Sequence, residues 1–350
     1  MKRLRNYGIT IGRLATGPLN KITDVPGVLV GHKTINQGHN HTGVTVIIPG
    51  AGNCFKDKFV GAGYIHNGFG KTCGLPQIQE LGTLETPIAL TNTLNVGLVA
   101  EGLVEYTIRT CEKDNTEVKS LNPVVGECND SRINDIQKRV VTGKDLAEAI
   151  ENAEQDFAEG AVGAGTGTVC YGLKGGIGSA SRLVEIEGKN YTVGVLVQSN
   201  FGATEDFVLD GRKLGEEILR RKDEWEKITT AEQDQGSIMT VVATDAPVTS
   251  RQLFRIIRRG GVGIARTGGF TGHGSGEIML GFSTANRQKK EAAAITSMEY
   301  IREDLINKFF LATAEATQEA IYNSQVMAQG CCGLKGEKYY GLGDILEHLK

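Results

Sequence analysis

The sequence predicts a mixed α/β protein in which helices pack on the outer faces of β-sheets. Short runs of β-branched residues recur along the chain, each bounded by Gly, Asn, Asp or Pro, as strands usually are. Some runs, such as Val44–Ile48 and Val193–Val197, are apolar without alternation, which indicates strands that are covered on both faces. Segments with helical periodicity alternate with these runs. Helices outside sheets are the simplest arrangement that buries both kinds of apolar face.

The individual elements follow from these patterns. The predicted strands are Val28–Val30, Val44–Ile48, Pro87–Thr91, Thr168–Tyr171, Tyr191–Gln198, Ser237–Thr244, Val262–Ala265 and Glu277–Phe282. The predicted helices are Val96–Thr110, Lys144–Ala158, Thr249–Arg259 and Phe310–Ala328. Thr249 has the residue type and position of an N-cap. Between them, the charged stretch Lys213–Gln235 predicts an exposed helix and loop, which leads directly into the apolar strand that begins at Ser237.

Composition excludes several classes of function. The 350 residues carry a net charge of −3, which gives no electrostatic drive toward nucleic acid or an anionic membrane. We find neither a signal peptide nor a run of the ~20 apolar residues that a membrane span needs. Seven cysteines without CxxC spacing predict reduced thiols in a cytoplasmic protein, with neither disulfides nor a zinc site. The 47 glycines, about 13% against a usual share of roughly 7%, predict many tight turns and close backbone approaches.

The dipeptide Gly236–Ser237 has a specific chemical use at the start of a buried strand. A serine hydroxyl can attack the carbonyl before it only if that peptide is held in an unfavourable geometry, which glycine enters at little steric cost. Hydrolysis of the resulting ester would leave Ser237 with a free α-amine beside its hydroxyl, and this pairing activates hydroxyl nucleophiles. Gly-Ser is also a common turn sequence, so the dipeptide alone leaves both interpretations open.

Three further polar residues lie at predicted strand ends. Ser275 and Glu277 are separated by one glycine, and residues i and i+2 of a strand share a face. We therefore expect both side chains to point into one cleft and to relay protons to a nucleophile. Asn200 ends the strand Tyr191–Gln198, and its amide could donate to an oxyanion. A glycine-rich turn with a polar cap and a strand-ending asparagine are the structural alternatives.

The order of several sequence blocks resembles the L-aminopeptidase/D-alanine esterase–amidase family, which includes the β-peptidyl aminopeptidases. The blocks are GPLNKITDVPGVLVGHKT (Gly17–Thr34), HTGVTVIIP (His41–Pro49), PIALTNTLNVG (Pro87–Gly97), PVVGECNDSRINDI (Pro123–Ile136), GAGTGTVCYGLKGGIGSASR (Gly163–Arg182), YTVGVLVQSNFG (Tyr191–Gly202), GSIMTVVATDAP (Gly236–Pro247) and GSGEIMLGFSTAN (Gly274–Asn286). They cover nearly the whole chain.

The resemblance implies a single self-processing hydrolase domain, residues 1–350, that cuts itself between Gly236 and Ser237. It implies a larger chain 1–236 and a smaller chain 237–350, with an αββα four-layer sandwich similar to N-terminal nucleophile hydrolases but differently connected. Ser237 would be the nucleophile, Ser275 and Glu277 would assist proton transfer, and Asn200 would stabilise the oxyanion. The substrates would be small peptides or amino-acid amides and esters, and no metal or organic cofactor would be needed. Members commonly form homotetramers.

The sequence departs from the family in the block Glu127–Asp135. Asn129 and Arg132 stand where some members carry an aromatic residue linked to the active site, which predicts a different substrate fit. The acidic Glu277 is a further candidate for binding a substrate's ammonium group. An acyl transferase of the ornithine acetyltransferase type is an alternative, although those relatives usually have threonine where this chain has Ser237. A non-catalytic scaffold of the same fold is the other alternative, and it predicts a chain that stays whole.

Other motifs carry weaker functional interpretations. The glycine clusters Gly163–Thr168 and Gly175–Ser181 match neither GxGxxG with its acidic partner nor GxxxxGK[ST], so we expect loops that line the active cleft rather than a nucleotide site. His39 and His41 lack further metal ligands and are expected to be surface histidines. His273 lies close to Ser275 in the sequence and could tune the charge of the site.

Overall fold

The computed structural model describes residues 1–349, and it contains two main β-sheets. The strands are β1 (Leu29–Gln37), β2 (Asn40–Ile48), β3 (Asp57–Gly68), β4 (Thr83–Leu84), β5 (Ile88–Asn92), β6 (Val124–Cys128), β7 (Val169–Cys170), β8 (Leu173–Lys174), β9 (Gly176–Ile186), β10 (Lys189–Asn200), β11 (Gln235–Thr244), β12 (Gly274–Lys289), β13 (Cys331–Cys332) and β14 (Lys338–Tyr339). The smaller main sheet has the order β1-β2-β5-β6 and the larger one β4-β3-β12-β11-β10-β9. In the larger sheet, β11 and β12 run parallel, while β10 is antiparallel to β11.

Helices cover the outer face of each sheet. They are α1 (Leu75–Leu81), α2 (Val96–Glu112), α3 (Gly143–Glu151), α4 (Leu214–Arg220), α5 (Ser250–Ile257), α6 (Gly260–Arg266), α7 (Ile306–Val326) and α8 (Leu342–His348). One apolar cluster joins the smaller sheet to α2 and α3, and another joins the larger sheet to α5, α6 and α7. A third cluster fills the space between the sheets. The predicted αββα sandwich is therefore confirmed.

Most predicted elements agree with the structure. The two non-alternating apolar runs lie in β2 and β10, where Val44, Val46, Val193, Val195 and Val197 are fully buried. The Thr249 hydroxyl accepts a hydrogen bond from the backbone N–H of Gln252 at 3.2 Å, so the predicted N-cap of α5 is confirmed.

One predicted strand was wrong in type, and one predicted helix extended too far. Val262–Ala265 is not a strand but part of helix α6, where Gly263 lets the backbone approach Ala314 and Thr317 of α7 closely. The helix predicted over Lys144–Ala158 ends at Glu151. After it, the Glu154 backbone pairs with Val30 of β1 through two hydrogen bonds, which an extended segment can make and a continuing helix cannot.

The interpretation of the second glycine cluster as a cleft loop was also wrong. Gly176–Ser181 forms the first half of β9, and neither cluster lines the cleft described below. A Cβ on Gly178 would overlap the backbone oxygen of Ala320, and one on Gly176 would overlap that of Gly160. These glycines are needed because α7 and a neighbouring loop pack directly on the β9 backbone.

Within residues 1–349, no helix has both the length and the apolar character to cross a membrane. All seven cysteines carry free thiols.

Candidate active site

Strand pairing brings Ser237 next to Asn200. Ser237 lies near the start of β11, where it is 4% exposed, and it pairs with Asn200 at the end of β10 on one side and with Gly276 of β12 on the other. Paired residues share a face of the sheet, and neighbouring strands lie about 4.8 Å apart. The Ser237 and Asn200 side chains therefore lie side by side.

Gly236 has a backbone conformation that other residues rarely adopt. Its φ is +127°, and a Cβ at this position would overlap the backbone oxygen of Asn200. Glycine is thus required by both conformation and space at the residue before Ser237. The structure therefore shows at Gly236 a backbone conformation and a close approach that only glycine accommodates.

A cleft of about 270 Å³ opens beside this dipeptide. The residues that line it come from several loops and strand ends, and they are Phe69, Lys71, Thr93, Glu127, Asn129, Ser131, Arg132, Val169, Asn200, Gln235, Gly236, Ser237 and Gly274. Asn129 and Arg132 line the cleft, so the block that departs from the family lies in its wall.

The Asn200 amide has a fixed orientation. Its Oδ1 accepts a hydrogen bond from the backbone N–H of Val169 at 2.9 Å. Its Nδ2 lies 3.2 Å from the position that a Cβ on Gly236 would occupy, so the donor side of the amide faces the dipeptide. The segment before Val169 is held by Lys174, a buried lysine whose Nζ donates to the backbone oxygens of Gly165, Thr168 and Gly175 at 2.8–3.0 Å.

Ser275 and Glu277 form the predicted pair, but on the other face of the sheet from Ser237. The Ser275 hydroxyl donates a hydrogen bond to Oε1 of Glu277, and both residues are fully buried. In β12, Ile278 packs between the sheets, whereas Met279 packs toward the helices together with the odd-numbered positions. Ser237 lies on the inner face, in line with Met239. Ser275 and Glu277 thus share a face, as their spacing predicts, and this face is opposite to the one that carries Ser237.

Burial raises the pKa of Glu277 to about 7. The negative charge of Asp234 contributes to this rise, while hydrogen bonds from Ser275 and Asn67 oppose it. Among residues 1–349, no group hydrogen-bonds to Oε2 of Glu277. A carboxyl with a pKa near neutrality and a free oxygen is suited to accept and release a proton.

The sequence analysis missed Glu127 as a site residue. It lies in β6 and is 3% exposed, and its carboxylate accepts hydrogen bonds from the Lys71 backbone N–H at 2.9 Å and from the Thr93 hydroxyl. Its position in the block Pro123–Ile136, one of the blocks that resemble the family, was the available signal.

The three histidines singled out earlier stay outside the cleft. His39 lies exposed in the turn between β1 and β2, and the His41 ring contacts the Asn36 side chain. His273 is exposed two residues before Ser275. Within the described part of the chain, no three His, Cys, Asp or Glu side chains are grouped as a metal site would require.

The protein has four layers and a buried serine where a central strand meets a cleft. This fold and this site define its class, a hydrolase built like the N-terminal nucleophile enzymes. The sequence model of peptidase family S58 matches residues 20–339. The chain belongs to this family.

Similar proteins of known sequence and structure agree with this assignment. The β-peptidyl aminopeptidase BapA of Sphingosinicella xenopeptidilytica is 36% identical over 97% of this chain and 88% of its own length. A solved protein from Pyrococcus horikoshii is 45% identical with a TM-score of 0.92, covering 99% of this chain and 98% of its own. The L-aminopeptidase D-Ala-esterase/amidase of Ochrobactrum anthropi, described as a new variant among the Ntn hydrolase fold, is 30% identical with a TM-score of 0.89 over 100% of this chain and 99% of its own. The resemblance is confirmed, and the chain is a serine-type aminopeptidase.

Proposed function

We propose that Ser237 is the nucleophile of this aminopeptidase and that the chain creates it by cutting its own backbone between Gly236 and Ser237. The observation that carries the proposal is the left-handed Gly236, which is held against Asn200 immediately before a buried serine at the edge of a cleft. Glycine adopts this φ at little cost, whereas any side chain at this position is excluded by both conformation and space.

The self-cleavage proceeds in two steps. The Ser237 Oγ attacks the Gly236 carbonyl carbon, the peptide C–N bond breaks, and the hydroxyl proton ends on the Ser237 nitrogen, leaving an ester. Water then hydrolyses this ester to the Gly236 carboxylate and the free Ser237 hydroxyl. The products are chains 1–236 and 237–350, which remain one domain.

The same groups carry out substrate hydrolysis. The Ser237 Oγ attacks the substrate carbonyl, and Nδ2 of Asn200 donates a hydrogen bond to the oxyanion; losing such a donor costs about 3 kcal/mol in other hydrolases. Ser275 and Glu277 flank β11 on its helix side, so they serve the Ser237 nitrogen at the strand end rather than its Oγ. As Oγ attacks, its hydroxyl proton passes to the Ser237 α-amine, and Ser275 and Glu277 relay a proton onward to the leaving group. The bond between the carbonyl carbon and the leaving group breaks, and water then hydrolyses the acyl-enzyme ester and restores the Ser237 hydroxyl.

Glu127 is our candidate for binding the substrate's free ammonium group. Among the described residues of the cleft wall, it is the acidic one, and a buried carboxylate pairs strongly with a cation. Lys71 and Arg132 add positive charge to the exposed rim, which fits the free carboxylate of a short peptide. The proposed substrates are the amino-terminal residues of small peptides, amides and esters.

The proposal extends to assembly and location. Ile65, Phe69 and Phe270 are large apolar side chains that are 44–65% exposed on the segments around the start of β12, and a homotetramer would cover such residues. The seven free thiols fit a reducing cytoplasm. Light scattering of the purified protein checks the oligomeric state.

Denaturing electrophoresis tests the self-cleavage. The wild-type chain should give fragments of about 25 and 12 kDa, in proportion to residues 1–236 and 237–350 of the 37.5 kDa chain. Ser237→Ala should give one band and no release of p-nitroaniline from amino-acid anilides. Ser131→Ala, which removes another hydroxyl of the cleft wall, is the matched control and should behave like wild type. Fragments from Ser237→Ala would refute the mechanism.

Two further measurements separate the alternatives. Acetyl transfer to ornithine without anilide hydrolysis would favour the acyl transferase, and a wild-type chain that stays whole would favour the non-catalytic scaffold.

For the ammonium site, Glu127→Gln should lower kcat/KM for free-amine substrates about 100-fold, because the buried cation loses its partner. Glu85→Gln is the control, since Glu85 is equally buried but lies away from the cleft. Equal effects of the two substitutions would exclude this role of Glu127.

A further inference from the structure

The carboxylate of Asp234 joins the segments that carry the residues of the site. Asp234 is 7% exposed and lies two residues before Gly236. Its Oδ1 accepts the backbone N–H of Gly202 at 3.0 Å, and its Oδ2 accepts that of Gly272 at 2.8 Å. Gly202 follows Asn200 by two residues, and Gly272 precedes Ser275 by three. One side chain thus connects the end of β10, the approach to β12 and the approach to β11.

The Gly272 connection continues into the proton-transfer pair. The backbone oxygen of Gly272 accepts the N–H of Ser275 at 3.0 Å and the Nδ2 of Asn67 at 2.9 Å. Asn67 pairs in turn with Glu277 in the register of β3 and β12. A displacement of Asp234 would therefore shift Asn200 through the hydrogen bond to Gly202, and Ser275 through the hydrogen bond to Gly272.

We propose that Asp234 is a positioning residue for self-cleavage: it anchors the chain upstream of Gly236 so that the peptide between Gly236 and Ser237 stays where the hydroxyl can attack. This inference rests on the proposed function. Downstream of the bond, β11 is fixed by its ladders to β10 and β12. Upstream, only Gln235 separates Gly236 from the anchored carboxylate, so the left-handed conformation cannot relax by sliding. Hydrogen bonds to a carboxylate are about twice as strong as neutral ones, which suits such an anchor.

The experiment follows self-cleavage of freshly synthesised full-length chain by electrophoresis over time. Asp234→Asn keeps the shape of the side chain but removes its charge and one acceptor oxygen, and cleavage should slow at least about tenfold. Asp234→Glu keeps the charge and should cleave faster than the Asn variant. Asp245→Asn is the matched control, because Asp245 accepts the Thr192 N–H at 2.7 Å at the far end of the same strand. It should cleave at the wild-type rate.

A second readout distinguishes positioning from general stability. Glu277 is faced by Ser275 on its own strand, Asn67 from β3 and the charged Asp234 from the segment before β11. The measurement is the pH dependence of anilide hydrolysis, in which Glu277 transfers protons. Because the charge of Asp234 raises the pKa of Glu277, Asp234→Asn should move the acid limb of this pH–rate profile to lower pH. A purely structural effect would lower the melting temperature without moving that limb.

The outcomes are decisive. Asp234→Asn cleaving at the wild-type rate, or slowing only as much as Asp245→Asn with an unmoved pH profile, would overturn the inference. Failure of Asp234→Asn to fold while Asp245→Asn folds would assign Asp234 to stability and also overturn it. In each of these cases a wild-type chain that still cuts itself leaves the proposed function intact, whereas a wild-type chain that stays whole refutes the proposed function itself.

Discussion

Replacing the buried Glu277 by glutamine should change how the stability of the protein depends on pH. Burial raises the pKa of this carboxyl from 4.5 to about 7 in the folded chain. The folded state then holds the proton more tightly than the unfolded state, so the free energy of unfolding falls as the pH rises from about 4.5 to about 7. Below about 4.5 both states are protonated and this contribution is fully present.

The size of the effect follows from the shift. At about 1.4 kcal/mol per pKa unit, a shift of this size corresponds to about 3 kcal/mol, as an order of magnitude. Glutamine has a similar shape and can still accept the Ser275 hydroxyl, but it carries no titrating proton. The variant should therefore lack this loss of stability, and it should turn over amino-acid anilides at least about 100-fold more slowly, because it cannot accept a proton.

The assay is denaturant unfolding at about pH 5 and about pH 8, in a Ser237→Ala background so that the chain stays whole. Between these conditions, the chain that keeps Glu277 should lose about 2–3 kcal/mol more than the chain that also carries Glu277→Gln. Parallel pH dependence of the two chains would refute the reasoning about burial. Wild-type turnover by the single variant Glu277→Gln would refute the catalytic role.

Two other substitutions test the backbone around the nucleophile. Residue 236 has a left-handed conformation, and Gly236→Ala introduces a Cβ that overlaps the Asn200 backbone. The rate of self-cleavage, followed by electrophoresis over time, should therefore fall at least about 100-fold while β11 stays intact. Cleavage at the wild-type rate would contradict the requirement for glycine. Lys174→Met leaves three backbone oxygens without their donor and should lower the free energy of unfolding by about 3 kcal/mol. Because the loop before Val169 then loosens, and Val169 orients the Asn200 amide, kcat should fall about tenfold with little change in KM. The control Lys21→Met removes another buried lysine, which donates to Asp156 and lies away from the cleft, and it should lower stability without changing kcat. Equal kcat losses in the two variants would contradict the inference that Lys174 orients Asn200.

Much of this site could be predicted from the sequence, because the features that mark it are formed by residues that are close together along the chain. The charged connector, the abrupt start of an apolar strand and the glycine before Ser237 are all readable along the chain. The i, i+2 spacing of Ser275 and Glu277 correctly predicted a shared face, on which the structure shows a hydrogen bond between the two side chains. The face that this pair occupies relative to Ser237 depends on the register of β11 against β12, and a shift of one residue would reverse it.

The remaining errors and omissions also come from tertiary packing. A short apolar run such as Val262–Ala265 fits a strand or a helix, and its contact with α7 decides between them. Glu127 and Asp234 are ordinary acidic residues in the sequence. Their importance appears only when folding brings Lys71 and Thr93 to Glu127, and Gly202 and Gly272 to Asp234.

The strand order of the larger sheet determines how the two products of the proposed cut remain associated. Strand β12 and the part of β11 from Ser237 onward belong to the smaller chain. Strands of the larger chain lie on both sides of them, with β10 and β9 on one side and β3 and β4 on the other. The smaller polypeptide is thus interleaved in its partner rather than docked on its surface. Dissociation would require rupture of two backbone ladders and of the apolar layer between the sheets, so we expect the mature heterodimer to unfold in a single transition.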